Sequence, residues 1–236
     1  MRASGSTRRL VLVRGLLLGT LLLPGGCAFL SVRQGIRRVG ADTRVSGRLV
    51  GEDALVLPGD EISTGPEGRT VLVMGEDAFL LGVNTRLRFD LPDEDPPTPT
   101  PTPTPGSTLP DAVPEGMRTP GFTLHAGRVL SVFGHGSRII KLPTAILGIR
   151  GTALYLEVHP EQDYVCLCYG RLEIRMRDAP EITETYETRH HSARMLKAHS
   201  PIRQAEGVNH TDEELFMLEA LVNRRPPFEE GAYADH

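Results

Sequence analysis

Thr152-Ala-Leu-Tyr-Leu-Glu-Val158 and Arg171-Leu-Glu-Ile-Arg-Met-Arg177 are the two stretches that decide the fold class. In the first, Leu154, Leu156 and Val158 alternate with Tyr155 and Glu157. In the second, Leu172, Ile174 and Met176 alternate with Arg171, Glu173 and Arg175. A period of two places one set of side chains on a core and the other on a second face, which is the signature of a strand. Working outward, similar short runs lie at Arg48–Val50, Ala54–Leu57, Thr70–Met74, Ala78–Val83, Thr85–Asp90, Phe122–His125, Arg128–Phe133, Arg138–Leu142 and Tyr164–Tyr169. Turn residues separate them, including Pro58-Gly59-Asp60, Gly65-Pro66-Glu67-Gly68 and Gly134-His135-Gly136. About eleven strands at this spacing predict an all-β domain, an antiparallel sandwich, barrel or stacked meander.

Composition agrees. The 236 residues include 25 glycines and 19 prolines, with 39% hydrophobic and 5% aromatic side chains and no Trp. Such punctuation excludes a long helical bundle. The formal charge is −4. The first 26 residues hold Arg2, Arg8, Arg9, Arg14 and no acid, so 22 basic and 30 acidic residues remain beyond them. That balance lacks the basic footprint of a nucleic-acid binder.

The N-terminus reads as an export signal over residues 1–26. A basic start precedes Leu10–Leu23, whose fourteen residues would rise only about 21 Å as a helix, short of the roughly 30 Å hydrocarbon core. Leu23-Pro24-Gly25-Gly26-Cys27 resembles a bacterial lipobox, with Pro24 where an aliphatic residue is usual. The expectation is a lipid on Cys27 and a periplasmic, membrane-tethered protein; ordinary cleavage and an uncleaved anchor are the alternatives. Thr7-Arg8-Arg9-Leu10-Val11-Leu12 also resembles a twin-arginine signal, against a plain basic leader.

Residues 27–44 form a linker in this reading and 45–177 the β domain. The domain is interrupted at 91–121 by a Pro/Thr-rich insertion containing Thr98-Pro-Thr-Pro-Thr-Pro-Thr-Pro105. Proline lacks the donor a ladder needs, so the insertion is read as a solvated loop. Residues 178–236 form a His-containing segment. In it Thr211-Asp-Glu-Glu214 is a capping box, and Leu215, Leu218, Leu221 and Val222 predict a helix over about 212–224.

Phe122–Ile174 resembles the family of FecR-type domains. The residues carrying the likeness are Leu124-His-Ala-Gly-Arg-Val129, Leu142-Pro-Thr-Ala-Ile-Leu-Gly-Ile-Arg-Gly-Thr152 and Val165-Cys-Leu-Cys-Tyr-Gly-Arg-Leu172. Upstream, Leu57-Pro-Gly-Asp60, Gly65-Pro-Glu-Gly68 and Thr85-Arg-Leu-Arg88 resemble the first half of the same domain; Leu142 stands where the family has Thr. The resemblance implies a periplasmic β domain of the kind found in FecR signal transducers. Those proteins add a cytoplasmic anti-sigma segment, and only nine polar residues precede the apolar run here, so that half is expected to be missing. The implied role is a non-enzymatic signalling or interaction module whose partner is an envelope protein or a cell-wall or outer-membrane component. Arg150, Gly151 and Thr152 form the most specific element. Gly151 suits a positive-φ corner, Arg150 could tie loop carbonyls and Thr152 could bond the same turn.

One further pattern carries chemistry. Cys166 and Cys168 are two apart on an expected strand and therefore share a face, opposite Val165 and Leu167. Their Cα spacing of about 6.6 Å makes an internal disulfide strained. Four histidines, His190, His191, His199 and His210, lie close by in sequence. Soft thiolates with imidazoles suit Zn or Cu(I), so Cys166, Cys168, His190 and His191 make a candidate site; the other reading is half-buried cysteines under a covering segment. No G-x-S-x-G, H-E-x-x-H, P-loop or dinucleotide motif occurs, and no enzyme is expected.

Overall fold

The computed structural model describes residues 32–91, 120–207 and 209–229. The export signal, Cys27 and nearly all of the Pro/Thr insertion lie outside the described residues. The stretches around Thr152 and Arg171 belong to two long antiparallel strands, Ala145–Val158 and Gln162–Met176. In chain order the strands are β1 (Gly35–Arg38), β2 (Arg44–Val45), β3 (Arg48–Leu49), β4 (Glu61–Ser63), β5 (Thr70–Met74), β6 (Asp77–Leu81) and β7 (Arg86–Phe89). They continue with β8 (Phe122–Val132), β9 (Ser137–Lys141), β10 (Ala145–Val158), β11 (Gln162–Met176), β12 (Thr183–Thr188), β13 (Ser192–Lys197) and β14 (Arg203–Ala205), followed by helix α1 (Asp212–Leu221). All the strands join one hydrogen-bonded sheet. The fold is all-β, and among the described residues no helix is long and apolar enough to cross a membrane.

The register of β10 on β11 shifts between Arg150 and Leu154, where Gly151 (φ 55°) and Gly170 (φ 98°) take left-handed backbone. A bulge bends a strand and inserts one residue, which switches the facing parity of everything beyond it. Leu147 and Ile149 before the bend, and Leu154 and Leu156 after it, therefore all enter one large core; on β11 the same holds for Val165 and Leu167, then Leu172 and Ile174. The bend also changes the outer neighbours. Before it β10 pairs with β9, after it with β8. Likewise Gln162–Leu167 of β11 pairs with β13, and Gly170–Arg175 with β12.

The large core is filled from both halves of the chain and centres on Phe79, whose ring meets Phe89 (5.2 Å), Phe133 (5.9 Å) and Phe122 (6.0 Å) edge-on. A second apolar cluster forms on the opposite face of the sheet. Val71, Val73, Leu80, Leu130, Tyr155, Cys166 and Cys168 are covered there by Leu215 and Leu218 of α1. The capping box forms as expected, with Thr211 Oγ1 accepting from Glu214 N at 3.3 Å and Glu214 Oε2 from Thr211 N at 3.4 Å. The helix stops at Leu221, three residues earlier than expected, because Asn223 turns left-handed (φ 56°) ahead of the prolines.

Several expectations are corrected. Ala54–Leu57 is not a strand: Leu55 and Leu57 are exposed, and only Val56 enters the core. The runs either side of Ala126-Gly127 are one strand, as are those either side of Gly170. The sheet also continues beyond 45–177 at both ends, through β1 on β5 and through β12 and β13 on β11. Thr152 does not bond its turn; its buried Oγ1 has no hydrogen-bond partner among the described residues.

Inside the sheet, Asp77 accepts from Gly134 N (2.7 Å) and from Arg138 Nε (3.3 Å), with both side chains almost fully buried. Removing one partner strands the other charge away from water. Asp77→Ala should therefore cost about 3–5 kcal/mol in urea denaturation, whereas Glu173→Ala, at an exposed pair with Arg175, should cost less than about 1 kcal/mol.

Candidate metal centre

Because Val165 and Leu167 face the large core, Cys166 and Cys168 face the second cluster, and both are free and fully buried. Two later segments are brought onto them. The turn between β12 and β13 carries His191. The chain entering α1 carries His210, seated beside the left-handed Asn209, whose Nδ2 donates to Glu157 Oε2 (2.9 Å). The Tyr155 ring stacks on His210 with centroids 4.5 Å apart and planes 11° from parallel.

Four ligand atoms then converge, all within 4.8 Å of one another: the sulfurs of Cys166 and Cys168 and one ring nitrogen each from His191 and His210. Cys166 Sγ lies 3.6 Å from His191 Nδ1, Cys168 Sγ 3.5 Å from His210 Nε2, and the two nitrogens are 3.0 Å apart. A tetrahedral ion with bonds of about 2.3 Å to sulfur and about 2.0–2.1 Å to nitrogen has S···N edges near 3.5 Å and an N···N edge near 3.4 Å. These three of the six edges are close to those of such a tetrahedron. Behind the ligands, His191 Nε2 lies 3.0 Å from Asp212 Oδ1. With Nε2–H donating to the carboxylate, the Nδ1 lone pair is left for the cluster, the arrangement by which a carboxylate orients a metal-bound imidazole.

The charge state suits a cation. Cys168 donates toward Cys166 and pulls that thiol down to about 3 against the cost of burial, with further help from His191 and His210. Burial, reinforced by the adjacent Cys166 thiolate, pushes Cys168 up. On His191 burial disfavours the charged ring, but hydrogen bonds to Cys166 and Asp212 outweigh it and raise its pKa. These directions favour a thiolate at Cys166 beside the imidazoles, and a bound metal would replace the protons there.

Three of the four residues expected as ligands come together here: Cys166, Cys168 and His191. His190 does not. Its ring lies edge-on to Phe228 with centroids 4.1 Å apart, outside the group of converging ligand atoms and 6.4 Å from the His191 ring. His210 takes the fourth place. Its position directly before the capping box was the available signal, since a helix laid over the thiol-bearing face must bring its first residues somewhere near it. Arg150 and Gly151 are exposed at the bulge, away from this cluster.

No family model matches the chain, and no curated protein matches it. Among solved structures it is similar to two crystal structures of a putative anti-sigma factor from Parabacteroides distasonis, at 1.65 and 2.50 Å resolution. Each aligns with a TM-score of 0.42 and 11% identity over 62% of this chain and 59% of that one. The chain thus spans under two thirds of these neighbours, and likeness at this level assigns neither a fold family nor a function.

Asp212→Asn should keep the fold but lower Zn affinity about 10–100-fold, because the tautomer of His191 is no longer fixed. Competition against a chromophoric chelator measures this, and His190→Ala should leave the affinity within about twofold of wild type.

Proposed function

We propose that this protein is a non-enzymatic β-domain protein of the cell envelope that carries one tetrahedral transition-metal ion on Cys166, Cys168, His191 and His210. The convergence of those four ligand atoms within 4.8 Å supports this reading most strongly. Two sulfurs and two imidazole nitrogens as a donor set favour Zn over other divalent ions, with Cu(I) the competitor that thiolates would accept. Four protein ligands leave no open position for water or substrate, so the ion's role is structural. It fastens β11, the β12–β13 turn and the entry to α1 together, and its binding energy is then folding energy.

The signalling part of the reading rests on the FecR resemblance, whose Arg150-Gly151-Thr152 element falls on the bulge that bends the sheet. In this proposal the domain is tethered to the membrane through a lipid on Cys27 and recognises an envelope protein or polymer. The metal keeps the C-terminal helix seated on its second face.

Elemental analysis of protein purified without chelator or His tag tests the metal directly. The expected content is about one Zn or Cu per chain, falling below about a tenth in Cys166→Ser and His210→Ala. Acidification should release the ion, since protons compete for the same sulfurs and nitrogens. Metal well below one per chain in wild type, with two titratable thiols, would refute the proposal.

A further inference from the structure

On the other side of the β12–β13 turn, basic side chains gather over the bend in β10 and β11. Two adjoining clefts of about 660 and 460 Å³ share Gly170, Thr188 and Arg189 along their walls. Arg150, Arg171, Arg189, Arg224 and Arg225 line them, with Glu187 as the single acid among the lining residues. In a chain where acids outnumber Lys and Arg 30 to 26, this is a local reversal of sign. A field of that kind draws anions to one place while the rest of the surface repels them.

The arginines are not equally committed. Arg171 pairs with Glu187 at 3.1 Å. Arg224 spends Nε on Glu219 (2.8 Å) and Nη1 on the carbonyl of Glu76 (2.7 Å), while its Nη2 has no hydrogen-bond partner among the described residues. Arg189 and Arg225 are exposed and form no ion pair among the described residues. Gly134, Gly151 and Gly170 also line the second cleft; the Glu76 side chain packs against Gly134 and the Thr152 side chain against Gly170, which leaves Gly151 as the open backbone position. A Cβ built on Gly151 would meet nothing within 4 Å, so the space above the bulge is open. A ligand can therefore approach the backbone there while guanidinium groups reach it from the rim.

We propose that this cleft binds an extended ligand bearing oxyanions, phosphate or carboxylate groups, held chiefly by Arg189 and Arg225. Guanidinium forks match both oxyanions bidentately, and two adjoining clefts accommodate more than one anionic group. This site does not rest on the metal reading, because none of its arginines is a metal ligand.

Calorimetric titration of the purified protein with inorganic pyrophosphate and, separately, with citrate at about 50 mM salt tests the proposal. Binding of at least one probe is expected, weakened at least about tenfold when Arg189→Gln and Arg225→Gln are combined. Gln keeps much of each stem, so melting temperature should be unchanged; Arg225→Glu alone provides a second variant, expected to weaken binding as well. Arg44→Ala with Arg48→Ala, on the exposed β2–β3 hairpin, should leave binding within about twofold of wild type. Tighter pyrophosphate binding assigns a phosphate-bearing ligand, and tighter citrate binding a carboxylate-bearing one. Failure of both probes at millimolar concentration, or equal weakening by the distant pair, would overturn the site.

Discussion

The bulge that interrupts β10 at Arg150–Ala153, together with the left-handed Gly170 opposite it, is the constraint on which the rest of this molecule depends. Two strands of 14 and 15 residues are too long to keep one face on a core in a sheet that must also close around it. One extra residue in each strand bends the pair and switches the facing parity of both, so Leu147, Ile149, Leu154 and Leu156 serve the same core. Without the switch, one half of each strand would turn its aliphatic side chains outward. Gly170 has little freedom to be anything else: a Cβ there would lie 2.8 Å from the Gly151 carbonyl and 2.5 Å from the Thr152 methyl.

The same bend creates both candidate sites. Beyond it, the outward face of β11 presents Cys166 and Cys168 to a second apolar cluster instead of to solvent. The outer neighbours change there too, so the β12–β13 connection must cross from one half of the sheet to the other, delivering His191 to the thiols and Arg189 to the two adjoining clefts. Helix α1 then covers the cluster. Leu215 and Leu218 supply its apolar contact, Glu214 meets Arg69, and Glu219 meets Tyr169. His210 and Asp212 flank the cap residue Thr211, so a metal bound by His210 is coupled to whether the helix sits down.

Strands with clean alternation were legible in the residues themselves; Thr70–Met74 was read with the boundaries the structure has. Two of the unread strands share a physical reason. β12 is Thr-Glu-Thr-Tyr-Glu-Thr, whose only apolar side chain is Tyr186, and β1 carries only Ile36, so their pairing comes from an open neighbouring edge and not from their own pattern. Gly127 and Gly170 were read as strand breaks, whereas both are positive-φ points inside continuous strands. Placing Cys166 and Cys168 on one face needed only the period of two. Choosing His210 over His190 needed the tertiary path of a helix 42 residues away from Cys168, which no local spacing encodes.

X-ray absorption at the metal edge of the purified protein tests the central claim most directly, because it counts the ligand types around the ion. The proposed metal site predicts about two sulfur neighbours near 2.3 Å and two nitrogen neighbours near 2.0–2.1 Å, with one sulfur lost in Cys168→Ser. A first shell of oxygen and nitrogen alone, or a spectrum that Cys168→Ser leaves unchanged, would contradict it.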